Sequence, residues 1–257
     1  MVLMNDLKNY RASADLLKNR VILVTGAGQG IGRVAALTFA AHGATVILHG
    51  RRVEKLESVY DEIERNGGVQ PAIFPLDLEK ACDKDFEAIA QAIKLQLGKL
   101  DGILHNAALI FSLTPLENQT LEQWLALLRV NLIAPFALTR ACLPLLKASP
   151  DASVIMTSEM HGHDPAAYWG GFAVAKAGLE VLVKIQAQEW EMFPNLRINV
   201  VIPGPVHTPQ RTRTHPGEIK HDLRQPEDLM PGYLYLMGPD SKAVSGETVF
   251  CQENRYN

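Results

Sequence analysis

Cysteine and net charge are both low in this sequence. The three cysteines, Cys82, Cys142 and Cys251, are odd in number, lie far apart and form no Cys-x-x-Cys pair. This pattern argues against a disulfide framework and a metal site, and we expect the cysteines to be buried small residues. The net charge is −3, so the chain has no excess of basic residues. We therefore expect neither a nucleic-acid partner nor a membrane partner.

A long apolar run is missing from residues 1–20, where charges are spread throughout. This segment predicts neither a signal peptide nor a membrane span, and a cytoplasmic, reducing location is the default expectation. Hydrophobic residues make up 47% of the 257 residues and charged residues 21%. These values are ordinary for a globular protein with a sizeable core. No linker or internal repeat divides the chain, so we expect 1–257 to form a single domain.

Apolar strand-like runs alternate with helical patterns along the chain. The helical patterns cover about 31–42, 53–65, 83–97, 120–147, 172–192 and 226–237, and the strand-like runs are Val21–Val24, Ala44–Leu48, Gln70–Leu76, Leu100–His105, Ser153–Thr157, Arg197–Ile202 and Thr248–Cys251. Strands this apolar must be buried on both faces, with helices covering each side. The sequence predicts an α/β Rossmann fold with a doubly wound parallel sheet of about seven strands.

A glycine-rich turn, Thr25–Gly32, joins the first predicted strand to the first predicted helix. Glycines let the backbone approach a pyrophosphate closely, and the helix N-terminus offers unpaired N–H groups and a positive dipole end. Glycines collect in turns for other reasons, but a strand before and a helix after this turn favour nucleotide binding.

Residues 209–226 interrupt the alternation with a polar, basic segment that contains two prolines near its start. This composition predicts a mobile loop. The loop follows the C-terminal end of a strand, where open α/β sheets bind ligands. It is interpreted as a lid over the site, with a plain surface excursion as the alternative. Its arginines are suited to hold an anionic small molecule or to face solvent.

Several ordered motifs resemble those of the short-chain dehydrogenases/reductases. They are the glycine signature Thr25–Gly32, Asp77-Leu78, Asn106-Ala107-Ala108 with alanine in place of a final glycine, Asn131 in the long helix, and Pro203–Thr208. The resemblance covers about residues 20–251. Asp15-Leu16-Leu17 and Met230–Gly238 are most similar to a YciK-type bacterial subgroup.

The resemblance implies a nicotinamide dinucleotide cofactor, and it implies a homodimer or homotetramer. The residues that it implies for cofactor contact are Gly26, Gln29, Gly30, Ile31, Gly32, Asp77, Leu78, Asn106, Lys176, Pro203, Gly204, Val206 and Thr208.

The end of the second strand indicates which dinucleotide is preferred. An acidic residue there would bond the ribose hydroxyls of NAD and repel a 2′-phosphate. This chain has His49-Gly50-Arg51-Arg52 instead. Because a guanidinium forms a charge-assisted fork with phosphate, Arg51 favours NADP(H) over NAD(H). The alternative is that Arg51 and Arg52 cap the next helix and face water.

The catalytic pattern of the family is incomplete in this chain. The family uses Ser, Tyr and Lys, with Tyr-x-x-x-Lys opening a helix, and an asparagine in the preceding long helix. Asn131 and Lys176 match, but the tyrosine position holds Phe172 and the serine position, thirteen residues earlier, holds Glu159. Phenylalanine cannot transfer a proton, and an ionised Glu159 would disfavour an oxyanion beside it. It would instead attract Lys176, which predicts a Glu159–Lys176 ion pair.

Other groups are candidates for the missing proton donor. Tyr168 lies four residues before Phe172, and His163 titrates near neutral pH. Water is a third candidate. His161 and His163 also form a His-x-His pair, but without an evident third ligand no metal site is expected.

Two hypotheses about function follow. One is an NADP(H)-binding protein with a degenerate active site, which acts as a sensor or as an inactive partner in an oligomer. The other is an active NADP(H)-dependent oxidoreductase that uses Tyr168, His163 or water as a non-standard proton donor.

Overall fold

Seven parallel strands of the described chain form one sheet in the order β3-β2-β1-β4-β5-β6-β7. The computed structural model describes Leu7 and residues 10–252. The strands are β1 (Val21–Thr25), β2 (Thr45–Gly50), β3 (Ala72–Pro75), β4 (Gly102–His105), β5 (Ala152–Thr157), β6 (Leu196–Ile202) and β7 (Thr248–Phe250). Each overlaps one predicted strand, and the predicted doubly wound Rossmann fold is confirmed. The strand order reverses between β1 and β4, which is where such sheets bind dinucleotides.

Helices connect the strands and cover both faces of the sheet. They are α1 (Gly30–Ala41), α2 (Val53–Arg65), α3 (Asp83–Leu97), α4 (Leu121–Leu128), α5 (Ala134–Ala148), α6 (Met160–His163), α7 (Gly170–Glu189), α8 (Pro209–Thr214) and α9 (Met230–Met237). The helix predicted over 120–147 is interrupted, because a π-helical turn, Arg129–Ile133, separates α4 from α5. This turn carries Asn131.

Alternate residues of β1 enter two separate cores. Ile22 and Val24 pack with α1, α2 and α9 on one face, while Val21 and Leu23 pack with α3, α5 and α7 on the other. All four are nearly inaccessible to solvent. Because successive side chains of a strand point to opposite faces, a strand buried on both sides must be apolar throughout. This explains the continuous apolar runs in the sequence.

The stretch Leu121–Ala148 is long and apolar enough to cross a membrane by length and composition alone. It has 28 residues and a mean hydropathy of 1.4, and 56% of its apolar window is buried inside the fold. A core helix of a globular protein has the same properties. The structure accounts for the apolar character of this stretch by its packing on β4 and β5.

The prediction that all three cysteines are buried is wrong for one of them. Cys142 and Cys251 are buried, but Cys82 is exposed. Cys82 is the N-cap of α3, where its backbone N–H donates to Asp85 Oδ2 at 2.8 Å. A helix start at the surface explains its position, since caps satisfy backbone groups that the helix leaves unpaired.

The segment 209–226 contains more regular structure than the sequence predicts. Thr208 Oγ1 accepts from Arg211 N at 3.1 Å and caps α8, and Pro209 occupies its first turn. Both features favour helix initiation. Arg211 then forms a two-pronged ion pair with Glu218, at 2.7 and 2.8 Å. The segment thus contains a short helix, while its mobility and its role as a lid stay predictions.

A buried polar network lies near the N-terminal ends of β1, β5 and β6, away from the carboxyl edge. The Asp151 carboxylate pairs with Arg20 Nη1 at 2.6 Å and with Arg197 Nη1. Arg197 also donates to the Gly238 carbonyl oxygen at 2.7 Å. The three side chains are at most 11% exposed. These contacts join residues from three strands and satisfy charges that would be costly to bury alone.

Candidate functional site

A cleft runs along the carboxyl edge of the sheet, over the point where the strand order reverses. Its free space is about 1550 Å³, including the open mouth. The glycine turn and Arg51 line one end, and Glu159, Phe172 and Lys176 line the other. The cleft thus joins most of the predicted cofactor residues to three of the four predicted catalytic positions.

The glycine turn lies too close to its neighbours to accept larger residues. Gly26 has φ +70°, and a Cβ there would lie 3.0 Å from Ala107 Cα. A Cβ at Gly32 would collide with the Gly26 carbonyl and lie 2.7 Å from Asn106 Nδ2. Thr25 Oγ1 accepts from the backbone N–H groups of Asn106 and Ala107 at 3.0 Å each. The turn is thereby held against the end of β4.

The N-terminus of α1 is suited to bind phosphate. Its N-cap, Gln29, makes no side-chain cap bond, so the first N–H groups of the helix have no side-chain acceptor there. Gly30 and Ile31 line the cleft, whereas Gly32 lies beneath the turn and is not among the lining residues of the described chain. Gly32 permits the turn by its missing side chain rather than by contact with a ligand.

Basic side chains gather beside this phosphate site. Arg52 Nη2 and Lys55 Nζ donate to Gln29 Oε1 at 2.9 and 2.7 Å. Arg51 is 58% exposed and lies 3.9 Å from Asp77 Oδ1. Arg52 is the N-cap of α2, but its side chain makes no cap bond. All three cations line the cleft, and their charge suits them to bind an additional phosphate.

Lys55 is a cleft residue that the sequence prediction missed. It lies four residues after Arg51, and the intervening Val53 begins α2. The available signal was the basic residue in the first turn of α2. Residues four positions apart, such as Arg51 and Lys55, lie on the same side of a helical turn.

Asn131 does not line the cleft in the described chain. Its Nδ2 donates to the carbonyl oxygens of Leu109 and Leu127 at 2.8 and 2.9 Å, and its Oδ1 accepts from Leu109 N at 3.1 Å. It is fully buried. Asn131 therefore holds Leu109 in the segment after β4. The residue after Leu109, Ile110, lines the cleft.

Lys176 and Phe172 meet in one wall of the cleft. Lys176 is 3% exposed, and its Nζ donates to the Thr157 carbonyl oxygen at 2.7 Å. The ammonium lies 5.7 Å from the centre of the Phe172 ring. Burial lowers the pKa of Lys176 to about 8. The carboxylates of Glu159 and Glu180 act in the opposite direction and raise this pKa. The ring thus stands beside the ammonium where the family places a phenol.

Glu159 lines the cleft but does not form the predicted ion pair with Lys176. Its Oε2 accepts from His161 N at 2.6 Å and caps α6. Burial raises the pKa of the Glu159 carboxyl, while the His161 N–H and the charges of His161, Arg211 and Lys176 oppose this shift. Lys176 instead bonds the Thr157 carbonyl. Glu159 and Lys176 therefore interact by longer-range electrostatics and not by a direct ion pair.

The alternative proton donors lie outside the cleft. Tyr168 has φ +75°, precedes α7 and is 58% exposed, so it is not one turn before Phe172 on the helix. It lines a separate small pocket. His163 Nδ1 bonds Glu180 Oε2 at 2.9 Å, and Ser158 Oγ donates to Glu180 Oε1 at 2.7 Å. Among the residues that the structure describes, no tyrosine lines the main cleft.

His161 and His163 do not form part of a metal cluster. Within the described part of the chain, no group of three His, Cys, Asp or Glu side chains is arranged to hold a metal ion. His161 Nδ1 lies 3.3 Å from the Asp164 carbonyl oxygen.

Trp169 is a further cleft residue that the sequence prediction did not select, and Arg211 is the arginine of the predicted lid that lines the cleft. The Trp169 ring stacks obliquely on His161, with centroids 4.2 Å apart, and lies 6.0 Å from Phe172. Arg211 comes from α8 and is 13% exposed at its side chain. Trp169 lies three positions before Phe172 and gave no periodic signal, because the backbone on either side of it has positive φ, at Tyr168 and Gly170.

The remaining predicted cofactor residues line the cleft. They are Asp77, Leu78, Asn106, Pro203, Gly204, Val206 and Thr208.

Comparison with known proteins identifies the family. The family described as short chain dehydrogenase matches residues 20–218. The chain belongs to this family. It is 41% identical to the uncharacterised oxidoreductase YciK of Escherichia coli K12, over 96% of this chain and 97% of that one.

Two solved structures of relatives carry the cofactor. A Shigella flexneri 2a homologue complexed with NADP is 41% identical, with a TM-score of 0.91, and covers 94% of this chain and 100% of its own. An Escherichia coli CFT073 homologue complexed with NADPH is 42% identical, also with a TM-score of 0.91 and the same coverage.

Among short-chain dehydrogenases, this chain thus combines a cleft lined by the glycine turn and cationic side chains with two residues that depart from the family's catalytic pattern. Both departures, Glu159 and Phe172, line the cleft together with Lys176.

Proposed function

We propose that this short-chain dehydrogenase binds NADP(H) in preference to NAD(H) and lacks ordinary carbonyl reductase activity. The observation that carries the proposal is the cleft wall at Lys176, where the Phe172 ring and the Glu159 carboxylate take the places of the two catalytic hydroxyls. A bound nicotinamide would supply or accept hydride. Neither neighbouring side chain offers the matching hydroxyl.

The cradle supports NADP(H) binding independently of catalysis. Gly26 and Gly32 let the turn pack closely against the end of β4, and α1 presents its N-terminus to the cleft. Arg51, Arg52 and Lys55 lie together at the same end. Relatives of the same fold at 41% and 42% identity hold NADP and NADPH. The residues present therefore fit a dinucleotide with an additional phosphate.

Replacing Arg51 tests the cofactor preference. We expect Arg51→Gln to weaken NADPH binding roughly 10- to 100-fold, because a charge-assisted bond to phosphate is lost. NADH affinity should change little. Both dissociation constants are measured by nucleotide fluorescence titration. Arg65→Gln removes the same charge from the exposed far end of α2 and is the matched control. An equal loss for NADPH and NADH would contradict the role of Arg51 in selecting the phosphate.

Turnover by the native protein tests the lack of activity. We expect NADPH to bind, yet to be oxidised with a broad panel of carbonyl compounds no faster than in protein-free controls. Tyr168→Phe and His163→Gln should leave this result unchanged, since both residues lie outside the main cleft. If native turnover is found and Tyr168→Phe abolishes it, the competing hypothesis of an active oxidoreductase with a non-standard donor is correct.

The ligand beside the nucleotide is proposed to be a small, anionic molecule. Arg211 lines the cleft and supplies a cation from the predicted lid 209–226. The homodimer or homotetramer and the cytoplasmic location stay predictions. Exposed apolar side chains on α4, α5 and α7 offer a surface for such an assembly; they include Leu121, Leu125, Phe136, Val174, Val181 and Ile185.

A further inference from the structure

We propose that Glu159 makes the cleft selective for the oxidised dinucleotide, so that the protein binds NADP⁺ more tightly than NADPH. This inference rests on the proposed function, because it concerns the redox form of the same nucleotide. It would make the protein a reader of the NADP⁺ to NADPH ratio rather than a consumer of either form.

The ends of the cleft determine which half of a dinucleotide meets Glu159. The cationic group Arg51, Arg52 and Lys55 lies at the end of β2 and attracts the phosphate-bearing adenosine half. In a doubly wound sheet the dinucleotide crosses the switch point, with its two halves over opposite sides of the sheet. The nicotinamide half would then lie on the side of β4, β5 and β6, and Glu159 comes just after β5.

The two redox forms differ by one positive charge on the nicotinamide ring. A carboxylate at the same end of the cleft attracts the positively charged oxidised ring. It exerts no comparable attraction on the neutral reduced ring. Partly buried charges are screened less by salt than exposed ones. Glu159 faces His161 on its own helix, Lys176 on α7 and Arg211 on α8, and the His161 N–H stabilises its ionised form.

Lys176 does not cancel this charge by direct contact. Its ammonium is directed to the Thr157 carbonyl oxygen at 2.7 Å, and no ion pair with Glu159 forms. The Glu159 carboxylate accepts from a backbone N–H, a neutral donor that brings no opposing charge, while burial raises the pKa of this carboxyl.

Aromatic faces in the same wall add a second attraction for a cation. Phe172 is 2% exposed and lines the cleft together with Trp169. The Lys176 ammonium already lies 5.7 Å from the centre of the Phe172 ring. The negatively polarised face of an aromatic ring attracts cations. A neutral nicotinamide ring does not experience this cation–π attraction. Phenylalanine keeps the aromatic face that a tyrosine would present there, so this attraction adds to that of Glu159.

The experiment measures the dissociation constants of NADP⁺ and NADPH by isothermal titration calorimetry for the native protein, Glu159→Gln and Glu180→Gln. Glutamine keeps the size of glutamate and removes its charge. Glu180 is a buried carboxylate that bonds Ser158 and His163, and it also raises the pKa of Lys176 without lining the cleft. Thermal melting confirms that each variant is folded.

We expect native protein to prefer NADP⁺, and we expect Glu159→Gln to reduce the ratio of the two affinities about tenfold, as one unit charge is removed at short range. Glu180→Gln should leave the ratio unchanged. A native protein without preference, or equal effects of the two variants, would overturn this inference while NADP(H) binding itself stands. Failure of both forms to bind native protein would instead refute the proposed function.

Discussion

Phe172→Tyr combined with Glu159→Ser is expected to give this protein NADPH-dependent carbonyl reductase activity. The two changes restore a phenol and a hydroxyl at positions that line the cleft. Lys176 is already in place, 5.7 Å from the centre of the Phe172 ring, and its positive charge lowers the pKa of a phenol beside it. Because a positioned general acid contributes about 10² to 10⁴-fold, turnover should exceed the native background by that order.

The measurement is NADPH oxidation, followed by the absorbance of the reduced nicotinamide, across a panel of ketones and aldehydes. Each single variant should show little of the gain, because serine without a proton donor and tyrosine beside a carboxylate are both incomplete sites. Lys176→Met in the double variant is the control that removes the ammonium while keeping both hydroxyls. A double variant that folds, binds NADPH and still fails to turn over would show that the scaffold is not competent for the chemistry.

Asp151→Ala is expected to lower the free energy of unfolding by about 3–5 kcal/mol, because it leaves two buried guanidinium groups without their counter-charge. Arg20 bonds one carboxylate oxygen of Asp151 at 2.6 Å and Arg197 bonds the other. Asp15→Ala is the control, since the Asp15–Lys18 pair has side chains 71% and 62% exposed. Such surface pairs contribute about 1 kcal/mol or less. Urea unfolding at neutral pH compares the two variants.

The stabilisation by Asp151 is expected to decrease as the pH falls. Burial opposes ionisation of this carboxyl, but the hydrogen bonds and charges of Arg197 and Arg20 hold its pKa below the ordinary value of 3.8. A pKa lowered by folding stabilises the protein above the unfolded pKa, and that contribution is lost as the pH falls through the folded pKa. The difference between native protein and Asp151→Ala should therefore be constant near neutrality and shrink below about pH 4. A small difference at neutral pH would contradict a structural role for this network.

Much of the fold was predictable because local sequence and tertiary environment agree in the sheet. Val21–Val24 is apolar at every position, and both faces of that strand are in fact buried. The interruption at Arg129–Ile133 was not predictable, since the apolar pattern runs through it. A π-helical turn is defined by backbone bonding and leaves little trace in periodicity.

The site was predictable where spacing along the chain determines position. Gly26 and Lys176 were identified from motifs, and both line the cleft. Asn131 was identified by the same reasoning, yet its side chain forms hydrogen bonds with backbone groups of Leu109 and Leu127. Whether an amide faces a cleft or a loop depends on contacts between distant segments, which spacing does not specify.

Three features of the chain followed from its sequence alone: a doubly wound sheet, a glycine turn at a helix start, and the loss of the tyrosine at Phe172. Each depends on residue type or on neighbours close in the chain. The tertiary structure decided that Tyr168 lines a separate small pocket, that Lys55 joins the arginines, and that Glu159 caps a helix rather than pairing with Lys176. These outcomes depend on which distant polar group lies nearest once the chain is packed. A buried charge bonds the nearest well-oriented partner, and only the folded chain determines which partner that is.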